Sequence, residues 1–269
     1  MRRYWFSTVL LVIFALTCLL VYRLEIPEIR TKPASEVQIL AVSSHNGAVQ
    51  VGTALDTAVS VKITRYAYGK DSADARKRLE QLVLTDTLVA GTWSLSVTVP
   101  PATQPIGAGF DITVPPTTGL NITTSNGKVV VSGLNADVTV ATINSPVIFT
   151  GTTGDGAIAT TNGKVTVQVH SGAMTIQTTN GEIDCDIAYL PATKSVQLTT
   201  SNNKITLRLP PDVSASVTAT TSNGTVVITG YQVQYFENSR SRIRARIGSG
   251  ASEINLNTTN GDILIQSRH

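Results

Sequence analysis

The chain has 269 residues, of which only 14 % are charged and 5 % aromatic, and 20 glycines stand among runs of Thr, Ser, Asn and Val. Its 21 basic residues exceed its 18 acidic residues only because Arg2, Arg3 and Arg23 precede residue 24, so the rest of the chain has no net charge. A neutral body excludes the broad positive field of a nucleic-acid-binding protein. Many β-branched residues predict an all-β fold.

Residues 1–23 are predicted to form an N-terminal transmembrane helix that anchors the protein. Arg2 and Arg3 precede an uncharged run from Tyr4 to Tyr22, which is about long enough to cross a bilayer core of roughly 30 Å. The two arginines would hold the N-terminus inside and place the rest of the chain outside the cytoplasmic membrane as a single-pass protein. The alternative is a cleavable signal peptide, which would give a secreted or periplasmic protein.

The next two segments are predicted to be a tether and an irregular β-rich part. Residues 24–36 are polar and contain Pro27 and Pro33, as expected for a short extended tether. Residues 37–120 are strand-like without a regular repeat, and they contain one predicted helix at 72–84. Asp71 is placed to cap that helix, and its apolar face is expected to pack on an open end of the fold.

Residues 121–269 repeat with a period of nine. Asparagines recur at Asn126, Asn144, Asn162 and Asn180, and the third and fifth residues after each are almost always apolar, as in Val165 and Val167. That alternation is typical of a short strand with one buried face. Two strands and two turns in about 18 residues predict one coil of a single-stranded parallel β-solenoid, which is stable only when coils stack.

Glycine follows the asparagine in most repeats, at Gly127, Gly163, Gly181, Gly224 and Gly261. We interpret this glycine as the residue of a turn that needs a positive φ angle. Asn203 replaces it once, and asparagine tolerates that conformation better than most residues.

The order of these motifs carries a resemblance to a known family. SHNGAVQV, the helix, WSLSVTVP, FDITVPPTTGLNITTSNGKVVVSGL, the repeated TTNG and the closing GSGASEINLNTTNGDILIQ together resemble the bacterial β-strand-repeat adhesin family, a domain of unknown function. The resemblance covers residues 37–269. It implies an envelope-associated bacterial β-solenoid, and it supplies no catalytic residues.

Candidate catalytic and metal sites are few. His170 is expected at a turn, and Cys185 is expected to be a buried, inert thiol. Asp137 and Asp155 would lie one coil apart, but asparagines stand where a calcium site would need further acids. We therefore predict no catalytic residue, no metal and no cofactor.

Two surfaces leave a carbohydrate ligand or substrate open. Asp184 and Asp186, with Arg208 on the next coil, could form the acidic cleft of a carbohydrate-active β-helix, although no sugar-stacking aromatic residue accompanies them. Columns of threonine could present a hydroxylated face to glycans, although strand propensity alone explains them. The threonines concerned are Thr124, Thr142, Thr160 and Thr178.

The segment ENSRSRIRARIGSG is the one strongly basic stretch of the neutral body. Arg240, Arg242, Arg244 and Arg246 alternate with smaller residues, so a strand there would point four guanidinium groups to one side. One interpretation is that like charges protect an edge strand from unwanted pairing. The other is an anion-binding site, because guanidinium groups bind phosphate and carboxylate in a bidentate manner.

The sequence therefore predicts a membrane-anchored, non-enzymatic, adhesin-like interaction or structural module of the cell envelope, with a carbohydrate-active β-helix as the alternative. Its expected partners are an anionic envelope polymer, lipid headgroups or another envelope protein, with no nucleic acid. A short tether would keep the arginines near the membrane surface.

Overall fold

The computed structural model describes residues 22–100 and 106–268, so the predicted anchor lies outside the described residues except for Tyr22 and Arg23. Within these residues, no helix is both long and apolar enough to cross a membrane. The described chain forms one α-helix, α1 (Ser72–Leu79), one 3-10 turn (Ala34–Glu36) and 23 strands. The strands are β1 (Tyr22–Pro33), β2 (Ile39–Ser44), β3 (Val49–Thr53), β4 (Ala58–Gly69), β5 (Val83–Val89), β6 (Thr92–Thr98), β7 (Ile106–Val114), β8 (Gly119–Thr124), β9 (Val129–Ser132), β10 (Val138–Ala141), β11 (Val147–Thr150), β12 (Gly156–Ala159), β13 (Val165–Ser171), β14 (Met174–Gln177), β15 (Ile183–Tyr189), β16 (Ser195–Thr199), β17 (Ile205–Leu209), β18 (Ala215–Thr221), β19 (Val226–Thr229), β20 (Val233–Asn238), β21 (Arg242–Ile247), β22 (Ser252–Thr258) and β23 (Ile263–Ser267).

The strands form two sheets that enclose one core, and each coil contributes one strand to each sheet. Sheet A has the order β1-β4-β7-β3-β9-β11-β13-β15-β17-β23-β19. Sheet B has the order β20-β21-β18-β22-β16-β14-β12-β10-β8-β2-β6-β5. Neighbouring coils pair in parallel and in register, so that Val147 lies between Val129 and Val165. The predicted solenoid with coils of about 18 residues is confirmed.

The nine-residue pattern correctly predicts which side chains face the core. Val165 and Val167 on β13 are buried, as are Ile183 and Cys185 on β15. Gly156 is the one non-apolar residue among the inward positions of the regular repeats, and a Cβ atom there would contact the Met174 side chain. Met174 on the next coil therefore fills the space that Gly156 leaves, which keeps the core closely packed.

The recurring asparagines form a continuous side-chain ladder along one corner of the stack. Each interior Nδ2 donates to the Oδ1 of the asparagine on the neighbouring coil, for example Asn162 to Asn144 at 2.7 Å and Asn180 to Asn162 at 2.7 Å. The ladder runs in the order Asn46, Asn126, Asn144, Asn162, Asn180, Asn202, Asn260 and Asn223. The TTNG repeat therefore marks the side chain that links successive coils.

The glycine after each ladder asparagine has a different cause from the one we predicted. Gly127, Gly163, Gly181, Gly224 and Gly261 are absent from the residues with positive φ. A Cβ atom on Gly163 would instead overlap the carbonyl oxygen of Ser145, and one on Gly181 would overlap the carbonyl oxygen of Gly163. The glycines are thus needed for close approach of backbones on adjacent coils. The prediction that the turn requires a positive φ angle, and its explanation of Asn203, were wrong.

The segment predicted to be a tether is part of the fold. Residues 22–33 form β1, which pairs antiparallel with β4 along its whole length, from Tyr22 opposite Gly69 to Pro33 opposite Ala58. Its two prolines are compatible with a strand because β1 is the edge strand of sheet A. Pairing with β4 therefore replaces the expected solvated chain.

Helix α1 packs on β1 and β4, at one end of the stack as expected. The Asp71 side chain caps it by accepting a hydrogen bond from the Asp74 backbone N–H at 2.8 Å, and Leu79 packs with Ala67 and Ile106. The helix ends at Leu79 rather than at residue 84, because Val83 begins β5. Upstream of the regular repeats, β2 pairs with β8 in sheet B and β3 pairs with β9 in sheet A. The stack of coils therefore extends to the N-terminal side of residue 120.

The last coil of the chain is inserted within the stack rather than added at its end. In sheet B, β22 lies between β16 and β18, and in sheet A, β23 lies between β17 and β19. The hairpin β20–β21 then extends sheet B beyond β18, with Ile243, Ala245 and Ile247 buried against the core. This hairpin covers the C-terminal end of the solenoid.

Candidate functional site

The arginine-rich segment forms the second strand of the terminal hairpin. Strand β21 alternates strictly, so that Arg242, Arg244 and Arg246 are exposed on the outer face of sheet B while the residues between them are buried. Arg240 precedes the strand, and its Nε donates to Thr225 Oγ1 at 3.4 Å. The predicted strand is present and three of the four guanidinium groups share its outer face. We call Arg242, Arg244 and Arg246 the arginine row.

The arginine row does not lie on an edge strand. Strand β21 pairs with β18 on one side and with β20 on the other, and β20 is the edge strand of sheet B. The hairpin partner therefore already occupies the hydrogen-bonding edge of β21. Protection of an exposed edge, our first interpretation of the charges, does not explain arginines on this strand.

Few acidic groups neutralise the arginine row. Arg242 Nε lies 3.4 Å from Glu237 Oε2, and the Arg246 guanidinium carbon lies 5.3 Å from the centre of the Phe236 ring, a cation–π contact. Arg244 lies between them, opposite Thr218 on β18. Among the described residues, no carboxylate lies within 4.0 Å of the Arg244 or Arg246 guanidinium nitrogens. These two positive charges face solvent.

A groove of about 440 Å³ adjoins the arginine row on the outer face of sheet B. It crosses β21, β18, β22 and β16, with Arg242 at one side. Its other polar lining residues carry only hydroxyl and amide groups, namely Gln197, Thr199, Thr218, Thr220, Asn255 and Asn257. The groove therefore combines a cation with neutral hydrogen-bonding groups.

The residues predicted to form an acidic cleft are paired instead. Arg208 binds Asp184 directly, and Arg268 Nε lies 2.7 Å from Asp186 Oδ1. Each carboxylate thus faces a guanidinium group on the outer face of sheet A. Carboxylates held in ion pairs are poorly placed to act as the acid and base of glycoside chemistry.

The threonine columns do not form a glycan surface, because they are buried. Thr124, Thr142, Thr160 and Thr178 are between 2 % and 8 % exposed. Two of the hydroxyl groups serve the turns: Thr160 Oγ1 accepts from the Gly163 backbone N–H at 3.2 Å, and Thr178 Oγ1 accepts from that of Gly181 at 3.0 Å. Those of Thr124 and Thr142 are buried and make no hydrogen bond within the described part of the chain. The sequence repeat alone could not show whether these threonines point into the core or outward at the corner of each coil.

The remaining candidates have structural roles. Cys185 is fully buried, and burial raises the pKa of its thiol. Lys194 Nζ lies 2.7 Å from Asp155 Oδ2 and lowers the pKa of that carboxyl group, so a lysine occupies the position where a cation would bind. Within residues 22–100 and 106–268, no group of three His, Cys, Asp or Glu side chains could hold a metal ion.

Sequence reasoning missed Phe236 and the groove. Phe236 is 60 % exposed on the edge strand, where the register shifts between Tyr235 and Glu237. The groove depends on β22 lying beside β18, although Asn255 is 37 residues from Thr218 along the chain. An aromatic residue near four arginines was the only signal available in the sequence.

A comparison with protein-family profiles matches residues 33–266 to the family Toastrack DUF4097. The chain belongs to this Toastrack family. A comparison with curated proteins gives no match.

Two solved structures are similar to the Toastrack chain. One is described as a "putative cell adhesion protein" from Clostridium sporogenes, with 11 % identity and a TM-score of 0.42 over 91 % of this chain and 100 % of that chain. The other is described as a "putative adhesin" from Bacteroides fragilis, with 12 % identity and a TM-score of 0.36 over 90 % of this chain and 97 % of that chain.

Proposed function

We propose that this Toastrack protein is a membrane-anchored, non-enzymatic, adhesin-like interaction module on the outer side of the cytoplasmic membrane. We further propose that it binds an anionic envelope polymer at the arginine row. The observation that carries the proposal is the placement of Arg242, Arg244 and Arg246 on one exposed face of β21. The fold uses the opposite face of this strand, so core packing does not require the arginines.

The charge distribution supports an anionic partner. The chain after residue 23 has 18 basic and 18 acidic residues, so three adjacent guanidinium groups with one nearby carboxylate stand out against a neutral background. Guanidinium groups at alternate positions of a strand lie about 6.6 Å apart, which suits a partner with several anionic groups. A polymer can engage all three at once and gains affinity from multiple contacts.

The position of the arginine row favours a polymer over lipid headgroups of the anchoring membrane. Eight strand-to-strand steps separate β21 from β2 in sheet B, which correspond to about 38 Å at a spacing of roughly 4.8 Å. The N-terminal strand β1 belongs to the opposite end of the stack. With residues 22–33 in β1, the flexible tether that would bring the arginines to the membrane is replaced by a paired strand.

A retention experiment tests the proposed function. Full-length protein in detergent would be passed over an immobilised anionic polymer, a neutral polymer and anionic lipid vesicles. Replacing Arg240, Arg242, Arg244 and Arg246 with Gln should weaken retention on the anionic polymer at least tenfold, and added salt should have the same effect.

A matched variant controls for net charge. Replacing Lys62, Lys70, Lys77 and Lys128 with Gln removes four exposed positive charges elsewhere, and retention should change little. Equal losses in the two variants, or retention that neither variant alters, would refute the proposed site. Retention on vesicles alone would point to lipid headgroups. Extraction of the full chain from membranes by carbonate would argue against the anchor.

A further inference from the structure

We infer that the ligand of this face is an acidic glycan, whose anionic group binds the arginine row and whose sugar hydroxyl groups bind the adjoining groove. This inference rests on the proposed function and narrows its ligand. It assigns binding roles to the hydroxyl and amide side chains of β16, β18 and β22 in addition to the arginines.

The register of four adjacent strands places an arginine and three hydroxyl or amide side chains in each of two parallel rows. One row runs from Arg242 through Thr220 and Asn257 to Thr199. The next runs from Arg244 through Thr218 and Asn255 to Gln197. Each row therefore begins with a cation and continues with three neutral groups that can hydrogen-bond, over about 14 Å at a strand spacing of roughly 4.8 Å.

The residue types in these rows are not explained by the needs of the sheet. Asparagine is disfavoured in strands, and the equivalent outward positions of β12 hold Ala157 and Ala159. The ladder asparagines satisfy one another at the corner, but Asn257 lies mid-sheet. Within the described part of the chain, the side chains of Asn257 and Gln197 make no hydrogen bond, and Asn255 donates only to Glu253, at 2.9 Å.

These groups match a polyhydroxylated ligand. An amide offers both donors and an acceptor, and a threonine hydroxyl offers both, so the groove can pair with sugar hydroxyl groups in either sense. A guanidinium group at the end of each row would form a charge-assisted pair with a carboxylate or a phosphate on the same chain. The exposed Phe236 ring beside Arg246 adds an apolar face on which a sugar ring can rest.

A polyanion without hydroxyl groups could use only the arginines. The groove would then contribute nothing to affinity, and removal of its amides would have no effect. Glu253 lies on the same face near Ser216, in the row that begins with Arg246, so the anionic part of the ligand should lie toward Arg242 and Arg244.

The test uses the full-length protein in detergent and four probes. Oligogalacturonate is a glycan with carboxylate groups, and phosphomannan is a glycan with phosphate groups. Polyphosphate is a polyanion without sugars, and dextran is an uncharged glycan. In the variant Gln197→Leu/Asn257→Leu, affinity for one or both acidic glycans should fall at least tenfold, while affinity for polyphosphate should change less than twofold. The probe that loses affinity identifies the anionic group.

Two further variants guard against indirect effects. Thr220→Tyr fills the floor of the groove without changing any charge and should reproduce the loss. Asn121→Leu/Thr139→Leu makes a comparable change on the same face, on β8 and β10, and should leave all affinities unchanged. Unfolding midpoints would confirm that each variant is folded.

The outcomes separate the two levels of the proposal. If polyphosphate binds as tightly as the acidic glycans and the groove variants alter neither, the acidic-glycan inference is overturned while the anion-binding function stands. If none of the anionic probes binds, both fail. If dextran binds as well as oligogalacturonate, the arginine row has no part in recognition and the inference is overturned.

Discussion

At the scale of single residues, glycine has two distinct roles in this fold. Gly133 and Gly151 adopt φ angles of 73° and 59°, whereas Gly163 has no positive φ and lies against the backbone of the neighbouring coil. The sequence shows the same letter in both situations. Only the stacked structure shows which glycines are needed for a positive φ angle and which are needed because a Cβ atom would overlap the neighbouring coil.

The two roles predict different costs for an added methyl group. Gly151→Ala should lower the free energy of unfolding by about 1–2 kcal/mol, because its Cβ meets nothing within 4 Å and only the φ angle is unfavourable. Gly163→Ala should cost more than about 3 kcal/mol, because its Cβ overlaps the Ser145 carbonyl oxygen and the coils must separate. Urea denaturation of both variants measures this difference. A larger cost at Gly151 would contradict the assignment.

Val169 occupies the same place in its coil as Gly133 and Gly151, 36 and 18 residues earlier, and it has a φ angle of 58°. A β-branched residue is strained in this region, and its side chain is 47 % exposed, so little burial compensates for the strain. Val169→Gly should therefore stabilise the protein by about 0.5–1 kcal/mol despite the greater entropy of glycine when unfolded. Thermal unfolding tests this, and a lower midpoint would show that the Val169 backbone conformation is not strained.

His170, next to Val169, is a buried group that can titrate. Its Nε2 lies 3.1 Å from the Ala173 carbonyl oxygen, which can only accept, so Nε2 carries a proton. Its Nδ1 lies 2.8 Å from Thr152 Oγ1, a hydroxyl group that can donate to the neutral ring. Burial lowers the pKa of His170 below its ordinary value, with the hydrogen bond to Ala173 and the charge of Asp155 opposing the shift. The folded state therefore binds this proton less readily than the unfolded state.

The contribution of neutral His170 to the free energy of unfolding should be fully present above about pH 6.5, the ordinary pKa of an unfolded histidine. It should decrease as the pH falls from that value toward the lower pKa of the folded state. His170→Leu, which copies Leu134 at the equivalent position two coils earlier, should remove this part of the pH dependence. Urea denaturation between pH 7.5 and 5 would show the wild type losing stability relative to the variant. Parallel curves would mean that His170 does not titrate in this range.

At the scale of elements, the asparagine ladder links coils through a corner that hydrophobic packing does not reach. Asn162 takes part in two side-chain hydrogen bonds, and Asn223, at the end of the ladder, takes part in one. Asn162→Ala should cost about 1–2 kcal/mol and Asn223→Ala about half as much, since each exposed bond contributes modestly. Denaturation curves of the two single variants test the ratio. Equal costs would indicate that the ladder bonds are not individually stabilising.

The strands of the repeats could be predicted because their cause is local. Alternation in VTV correctly places Val165 and Val167 of β13 in the core, and the 18-residue return fixes the coil. The same alternation would also place Val169 in the core, but the register of β13 shifts after Val167 and Val169 is exposed. Strand β1 could not be predicted in the same way, because its pairing partners on β4 lie 25 to 47 residues away and its proline-containing sequence is compatible with an open chain. Helix α1 was found from its cap, but its end depended on where β5 begins.

At the scale of the whole molecule, the order of coils in space departs from their order in the chain. The period along the sequence gives the size of a coil but does not show which coils are neighbours. The hairpin β20–β21 interrupts the period between the coil of β18 and β19 and the last coil of the chain. The groove lies where the inserted strand β22 meets β18. The arginine row was therefore predictable from alternation alone, whereas the surface beside it was not.

The insertion predicts how the protein responds to truncation. Removing residues 251–268 deletes β22 and β23, so β18 and β19 lose the parallel strands that join them to the rest of the stack. Hydrogen exchange followed by mass spectrometry should show residues 215–247 losing protection while β9 to β13 retain it. Full protection of β18 after truncation would mean that it can stack directly on β16.

The antiparallel pairing of β1 with β4 also sets how this molecule would respond to mechanical force. With the proposed anchor holding residue 21 and a polymer pulling on the arginine row, tension would act along the stack, across the strands, and would enter at Tyr22. Such a load peels β1 from β4 one residue pair at a time, beginning at Gly69, instead of shearing all the pairs together. The 12 residues released would extend to about 40 Å at roughly 3.3 Å per residue, while the parallel coils stay intact. Under tension, β1 would therefore become the extended tether that its sequence predicts. Its extension would relieve the load before the strands that carry the arginine row unfold.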